Sequence, residues 1–335
     1  MKKKSVYFKD HPYCLYESVP NSPFPLPTNS LGLIGKVEYS KKKSNNCKRI
    51  LFLGASPIER LPPPNDNKDK NPNLTVTHLL EEKLNQKNKD LGIKDRYEVI
   101  NLSSSAYTSY ECLFSYICKG RYLNPDLIIS YQGVNDVLWA VIAQGFLKDY
   151  SHARKNNFQK QECTLNNILC ALPDSKIINF IDKIPVKFNL KKPNGLIYSI
   201  SAENLKFDLN YSNKKLDTFF ENIQILNNLT ILNNSKLLNL TFVWDENKPA
   251  NPSHVYRELK ESKTKKIFND HYNKYLNRVN YLLKNNRNLN TFVLKNRVFD
   301  ASNFSDGVHF NLKGMNFFSS QIAEYIFENK NSLFN

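Results

Sequence analysis

The sequence predicts an α/β fold, with parallel strands in a central sheet and helices on both sides of it. Three observations lead there. Short apolar runs at 49–53, 97–102 and 127–131 alternate with stretches of helical period, the pattern of parallel strands joined by helical crossovers. The same rhythm returns from residue 214 onward. Residues suited to chemistry fall just after the apolar runs, where an open parallel sheet carries its functional loops.

The elements follow in order. Residues 1–47 are rich in proline and aromatic side chains and end in Lys41-Lys42-Lys43, which reads as an irregular or β-rich N-terminal appendage. The main domain then spans 48–330. Its first strand, 49–53, stops at Gly54-Ala55-Ser56, and Pro62-Pro63-Pro64 marks a loop before a helix over 74–86, where Leu74, His78, Leu79 and Leu84 share a face. A strand at 97–102, a helix at 110–119, a strand at 127–131 and a helix at 137–146 come next. The rhythm is then lost. The segment at about 148–212, holding Pro173, Pro185 and Pro193, is too long for an ordinary connection and reads as an insertion that covers the site. Beyond it lie a helix to 232, a strand at 237–243, a helix at 265–284, a strand at 291–294 and a last helix at 312–327.

Composition narrows the function classes. With 41% hydrophobic and 12% aromatic residues the chain has enough apolar side chains for a substantial core, although the mean hydropathy is −0.52. The formal net charge of +16 raises the question of a nucleic-acid partner. The Lys and Arg residues are spread thinly and no nucleic-acid-binding motif accompanies them, so none is expected. Lys9, Asp10 and His11 interrupt the apolar stretch that a signal peptide needs after Lys2-Lys3-Lys4, and no run approaches the ~18 apolar residues of a membrane span. The six cysteines, Cys14, Cys47, Cys112, Cys118, Cys163 and Cys170, show neither Cys-x-x-Cys nor metal spacing. They read as free thiols of a cytoplasmic protein that needs no cofactor and no metal.

Three loops carry the chemistry. Ser56 follows the first strand; alone, Gly-x-Ser there also describes a helix cap, and Ile58 breaks the Gly-x-Ser-x-Gly elbow of α/β-hydrolases. Gln132-Gly133-Val134-Asn135-Asp136 follows the strand at 127–131, and the Asn135 amide is suited to donate to a developing oxyanion, though Asn and Asp also populate simple turns. The most informative element is Asp306-Gly307-Val308-His309, just before the final helix. A hydrolytic serine needs a base near neutral pKa, which histidine supplies, and a carboxylate to orient that base. Other candidates are weaker: His254 and His271 suit exposed or core-edge roles, Trp139 suits core packing better than stacking on a sugar or acyl group, and Glu59 and Arg60 cap or decorate the first helix.

These residues resemble the four ordered blocks of the SGNH (GDSL-like) hydrolases. Ser56 stands in the first block, 101–109 in the second, Gly133-Val134-Asn135-Asp136 in the third and Asp306-x-x-His309 in the last, over roughly 48–140 and 214–330. The resemblance implies a flavodoxin-like α/β/α sandwich and ester hydrolysis through an acyl-serine. It makes Ser56, His309 and Asp306 the catalytic residues, and Ser56 N–H, Ala106 N–H and Asn135 the oxyanion hole. Two positions depart from the pattern. Ala55 replaces the aspartate of Gly-Asp-Ser, and Ala106 replaces the second-block glycine. Alanine keeps its N–H, so that donor survives where the backbone avoids positive φ. The expected substrate is a small-molecule or glycan ester, first of all a carbohydrate O-acetyl ester; an O-acyltransferase using the same triad, or a silent binding module, are the alternatives.

Overall fold

The computed structural model describes residues 8–23, 26–35, 37–40, 42–59, 71, 74–142, 147–148, 150, 210–248 and 262–334. The expected insertion falls mainly on 151–209, and it lies outside the described residues, as do His254, Arg60, Cys163, Cys170 and the proline loop at 62–64.

Strands β1 (Phe8–His11) and β2 (Leu15–Ser18) pair as an antiparallel hairpin. The main sheet follows: β3 (Cys47–Gly54), β4 (Arg96–Asn101), β5 (Leu127–Tyr131), β6 (Lys236–Leu240) and β7 (Thr291–Phe292) lie in the order β4-β3-β5-β6-β7, all pairs parallel. Counted within this sheet the order is 2-1-3-4-5, the flavodoxin-like doubly wound arrangement. Its topological switch point lies between β3 and β5, the crevice where such sheets bind ligands.

Helices α1 (Ser56–Glu59), α2 (Val76–Asp90), α3 (Ser109–Cys118), α4 (Val134–Ile142), α5 (Asp217–Leu232), α6 (Ser262–Asn285), α7 (Leu312–Glu328) and α8 (Lys330–Phe334) complete the described elements. Alternation along β3 divides the core. Ile50 and Phe52 face Leu80 and Leu84 of α2 and Phe318 and Ile322 of α7. Leu51 and Leu53 face Cys112, Leu113 and Tyr116 of α3 and Leu226 of α5. Each such fully buried aliphatic or Phe side chain contributes about 1.5–3 kcal/mol, so the sheet is sealed on both faces. β3 accordingly reads as an apolar run rather than an alternating one.

Several boundaries shift from the sequence reading, each for a local reason. Helix α2 starts at Val76 because Thr75 caps it, its side chain accepting from His78 N at 3.3 Å. Helix α3 starts at Ser109 because Thr108 and Glu111 form a capping box. Helix α4 begins at Val134, three residues before the expected start, so Asn135 and Asp136 stand in its first turn. β6 ends at Leu240 rather than 243, and β7 at Phe292 rather than 294. There Thr241 and Leu294 exchange side-chain bonds in place of a ladder: Thr241 Oγ1 donates to Leu294 O at 3.1 Å and accepts from Leu294 N at 2.8 Å. Cys14, Cys47, Cys112 and Cys118 are free thiols, and no described helix is long and apolar enough to cross a membrane.

Candidate active site

Ser56 leaves the carboxyl end of β3, beside the switch point. Its Oγ lies 2.8 Å from His309 Nε2, and His309 Nδ1 lies 2.7 Å from Asp306 Oδ2. Serine and histidine stand 253 positions apart in the chain. The sheet brings them together.

The 304–310 loop that presents His309 is braced from within. Phe304 and Phe310 form an antiparallel bridge, and His309 O accepts from Ser305 N at 2.8 Å and Ser305 Oγ at 3.0 Å. Asp306 Oδ1 accepts the N–H groups of Val308 at 2.9 Å and His309 at 2.8 Å, which leaves Oδ2 for the ring. The Asp-x-x-His spacing therefore lets one carboxylate fold the loop and orient the histidine. With Nδ1 donating to Asp306, Nε2 is the acceptor for the Ser56 hydroxyl. Burial pushes the Asp306 carboxyl up, but the hydrogen bond and charge of His309, with the two backbone donors, outweigh it and hold the group below its ordinary value. His309 is itself buried, at 5% exposure.

The second and third loops are tied to the first. Ser104 N donates to Gly54 O at 3.3 Å, and Ser105 Oγ donates to Glu59. Glu59, which the sequence reads as capping or decorating the first helix, is buried at 1% exposure. That correction has a plain cause: its partner is 46 positions downstream, beyond any local pattern. Asn135 Nδ2 donates to Tyr107 O at 2.8 Å, which fixes the amide plane and engages one of its two hydrogens. Gly133 makes the turn into α4 at φ +110°, a conformation open to glycine.

Asp136, assigned no role of its own by the sequence beyond the Gly-x-Asn-Asp block, has one in the fold. Fully buried, it accepts from Ser109 N at 3.0 Å, Ser109 Oγ at 2.5 Å and Tyr150 Oη at 2.6 Å. Burial pushes its carboxyl up and these donors only partly oppose the shift. It ties the first turn of α4 to the start of α3, next to the loop that holds Ala106.

The condition set for the Ala106 donor, a backbone that avoids positive φ, is not met. Its φ is +64°, the left-handed region where glycine is favoured. That condition was misplaced, since an amide N–H is present at any φ; positive φ bears on the energy instead, because a Cβ there costs about 1–2 kcal/mol. Replacing Ala106 by glycine removes that strain at a smaller cost in chain entropy, so Ala106→Gly is expected to stabilise the fold by about 0.5–1 kcal/mol. Urea unfolding measures it, and a loss of stability would contradict the strain.

Among known proteins, no family model and no curated sequence matches the chain. Solved structures do. The chain is similar to a GDSL-like lipase from Bacteroides thetaiotaomicron at 14% identity, covering 86% of this chain and 92% of that one with a TM-score of 0.41. An acetyl xylan esterase is similar at 15% identity, over 83% of this chain and 99% of that one, with a TM-score of 0.41. A variant acetyl xylan esterase from Geobacillus stearothermophilus is similar at 13% identity, over 86% and 97%, with a TM-score of 0.43.

Of the other described candidates, Trp139 and His271 take no part in the Ser56–His309–Asp306 chain of contacts. Trp139 is buried in the core at 3% exposure. His271 lies on α6 with its ring 6.2 Å from that of Tyr211, edge to face. Asn135 keeps one amide hydrogen beyond its bond to Tyr107 O. If its free amide hydrogen meets the acyl oxygen only as charge develops, Asn135→Ala should lower kcat by about 100- to 1000-fold with little change in KM. Steady-state kinetics on a folded variant checks this, and an unchanged kcat would remove Asn135 from the mechanism.

Proposed function

We propose that this chain is a serine ester hydrolase of the SGNH type, acting on O-acyl esters and foremost on O-acetyl groups of carbohydrates. The observation that carries the reading is the continuous chain of contacts from Ser56 Oγ through His309 Nε2 and Nδ1 to Asp306. A serine that merely caps a helix has no use for a buried histidine, oriented by a carboxylate, at hydrogen-bond distance.

In this reading Ser56 Oγ attacks the acyl carbonyl while His309 takes its proton, and Asp306 stabilises the imidazolium. The carbonyl oxygen becomes an oxyanion held by the N–H groups of Ser56 and Ala106 and by the Asn135 amide. His309 returns the proton to the leaving alcohol. Water, deprotonated by the same histidine, then attacks the acyl-serine, and His309 returns that proton to Ser56 Oγ as the acid leaves. No step requires a metal or organic cofactor. The carbohydrate acetate is the finer part of the proposal and rests on the family resemblance of the sequence.

The test is a panel of nitrophenyl esters from acetate to octanoate, run beside acetate release from acetylated oligosaccharides. The expected result is turnover that falls with acyl length and acetate release from the glycans. Preference for the longest chains would contradict the acetyl reading, and no turnover of any ester would contradict the hydrolase reading.

A further inference from the structure

The oxyanion loop is held from behind by the N-terminal hairpin, and one side chain makes the bond that matters. Tyr16, on β2, is 2% exposed, with its ring edge-on to Phe8 at 4.8 Å and to Tyr107 at 5.2 Å. Its hydroxyl donates to Ser105 O. That carbonyl belongs to the same peptide group as the Ala106 N–H. In a trans peptide the N–H points opposite to the C=O, so a bond that fixes one fixes the direction of the other. The clamp is reciprocal, because Tyr107 Oη donates to Tyr16 O at 2.5 Å.

Two further observations make this bond more than packing. Ala106 sits at φ +64°, so the loop needs tethers to stay in a conformation that alanine disfavours. On the hairpin side the same loop borders a cavity of about 270 Å³ lined by Cys14, Ser103, Ser104 and Tyr107 among others. Close packing alone does not hold it there. The hairpin is itself seated on the end of α3, where Lys119 Nζ meets Glu17 at 2.8 Å and Leu31 O at 3.0 Å.

We infer that Tyr16 is a positioning residue for the oxyanion hole: its hydroxyl holds the Ser105–Ala106 peptide with the Ala106 N–H turned toward the carbonyl that Ser56 attacks. The inference rests on the proposed ester hydrolysis. It assigns the N-terminal hairpin a part in turnover as well as in stability.

Tyr16→Phe removes one oxygen and leaves the ring contacts. The control is Thr28→Val, which deletes a buried hydroxyl of the same appendage that donates to Val19 O at 2.6 Å and accepts from Ser22 N at 2.9 Å, both partners within the appendage. Both variants are measured on nitrophenyl acetate, with rates expressed per site titrated by a fluorophosphonate so that any unfolded fraction is removed. The expected result for Tyr16→Phe is a roughly 10-fold lower kcat, the worth of about one hydrogen bond, at unchanged KM. The Ki of a trifluoromethyl ketone transition-state analogue should rise by the same factor. Thr28→Val should keep the wild-type kcat per site.

A wild-type kcat per site in Tyr16→Phe would overturn the role, as would equal losses in the two variants. A Tyr16→Phe chain with no titratable sites would make Tyr16 structural and overturn it too. An unreactive wild type is a separate outcome, and it would remove the hydrolase reading and the positioning role together.

Discussion

Ser56→Ala is expected to lower kcat on any accepted ester by about 10⁶-fold, the scale seen when a triad serine is deleted. In the proposed mechanism the oxygen removed is the one that forms the acyl-enzyme, and His309 cannot substitute for it by activating water in the same position. What remains should be the contribution of the oxyanion donors and of substrate binding, about 10³–10⁴-fold over water. Initial rates on nitrophenyl acetate, with the folded state verified by urea unfolding, measure the loss. A decrease smaller than about 10-fold would show that Ser56 is not the nucleophile.

Asp306→Asn is expected to lower kcat by about 10⁴-fold with the loop still folded. Asparagine keeps an oxygen for the Val308 and His309 N–H groups, which Oδ1 accepts in the native chain. It replaces Oδ2 by a donor that cannot accept from His309 Nδ1. The ring then favours the tautomer protonated at Nε2, which cannot receive the proton of Ser56. The pH profile separates this from a general loss of structure. Burial pushes the Asp306 carboxyl up, yet its bonds to His309 and the backbone hold it below the ordinary value, which is about 3.9 for aspartate. A depressed folded pKa means that the stabilising interaction is fully present above the unfolded value and is lost as pH falls through the folded one. Asp306 therefore stays ionised above about pH 4, and loss of wild-type activity at higher pH is not its protonation. A profile of wild-type rate in Asp306→Asn would contradict the orienting role.

Much of this site was legible in the sequence because its informative groups are close together or follow strand ends. Asp306 and His309 are three positions apart, and that spacing alone lets a carboxylate reach both the ring and the intervening backbone. Ser56 and Asn135 were found because apolar runs located β3 and β5, whose carboxyl ends flank the switch point. The parallel direction of the strands follows from their alternation with helices, and the five strands of the main sheet are parallel.

The supporting groups were not legible, and the reason is distance along the chain. Tyr16 and Ser105 are 89 positions apart, and Glu59 and Ser105 are 46 apart. Nothing local marks Tyr16 as more than one aromatic among many in a proline-rich leader. Asp136 looked like turn chemistry because Asn-Asp usually is, and only the fold reveals Ser109 and Tyr150 around it. The left-handed backbone at Ala106 was hidden for the opposite reason: an alanine signals no special conformation, whereas a glycine there would have.

The central claim is that Ser56 is a nucleophile activated by His309, and the most direct test is the intact mass of the folded protein after treatment with a fluorophosphonate. An activated serine attacks phosphorus and the adduct persists, because its oxygen occupies the oxyanion hole. The account predicts one adduct per chain, mapped by peptide analysis to Ser56, absent in Ser56→Ala and formed far more slowly in His309→Ala. No adduct on the folded wild-type chain, or an adduct on another serine, would contradict it.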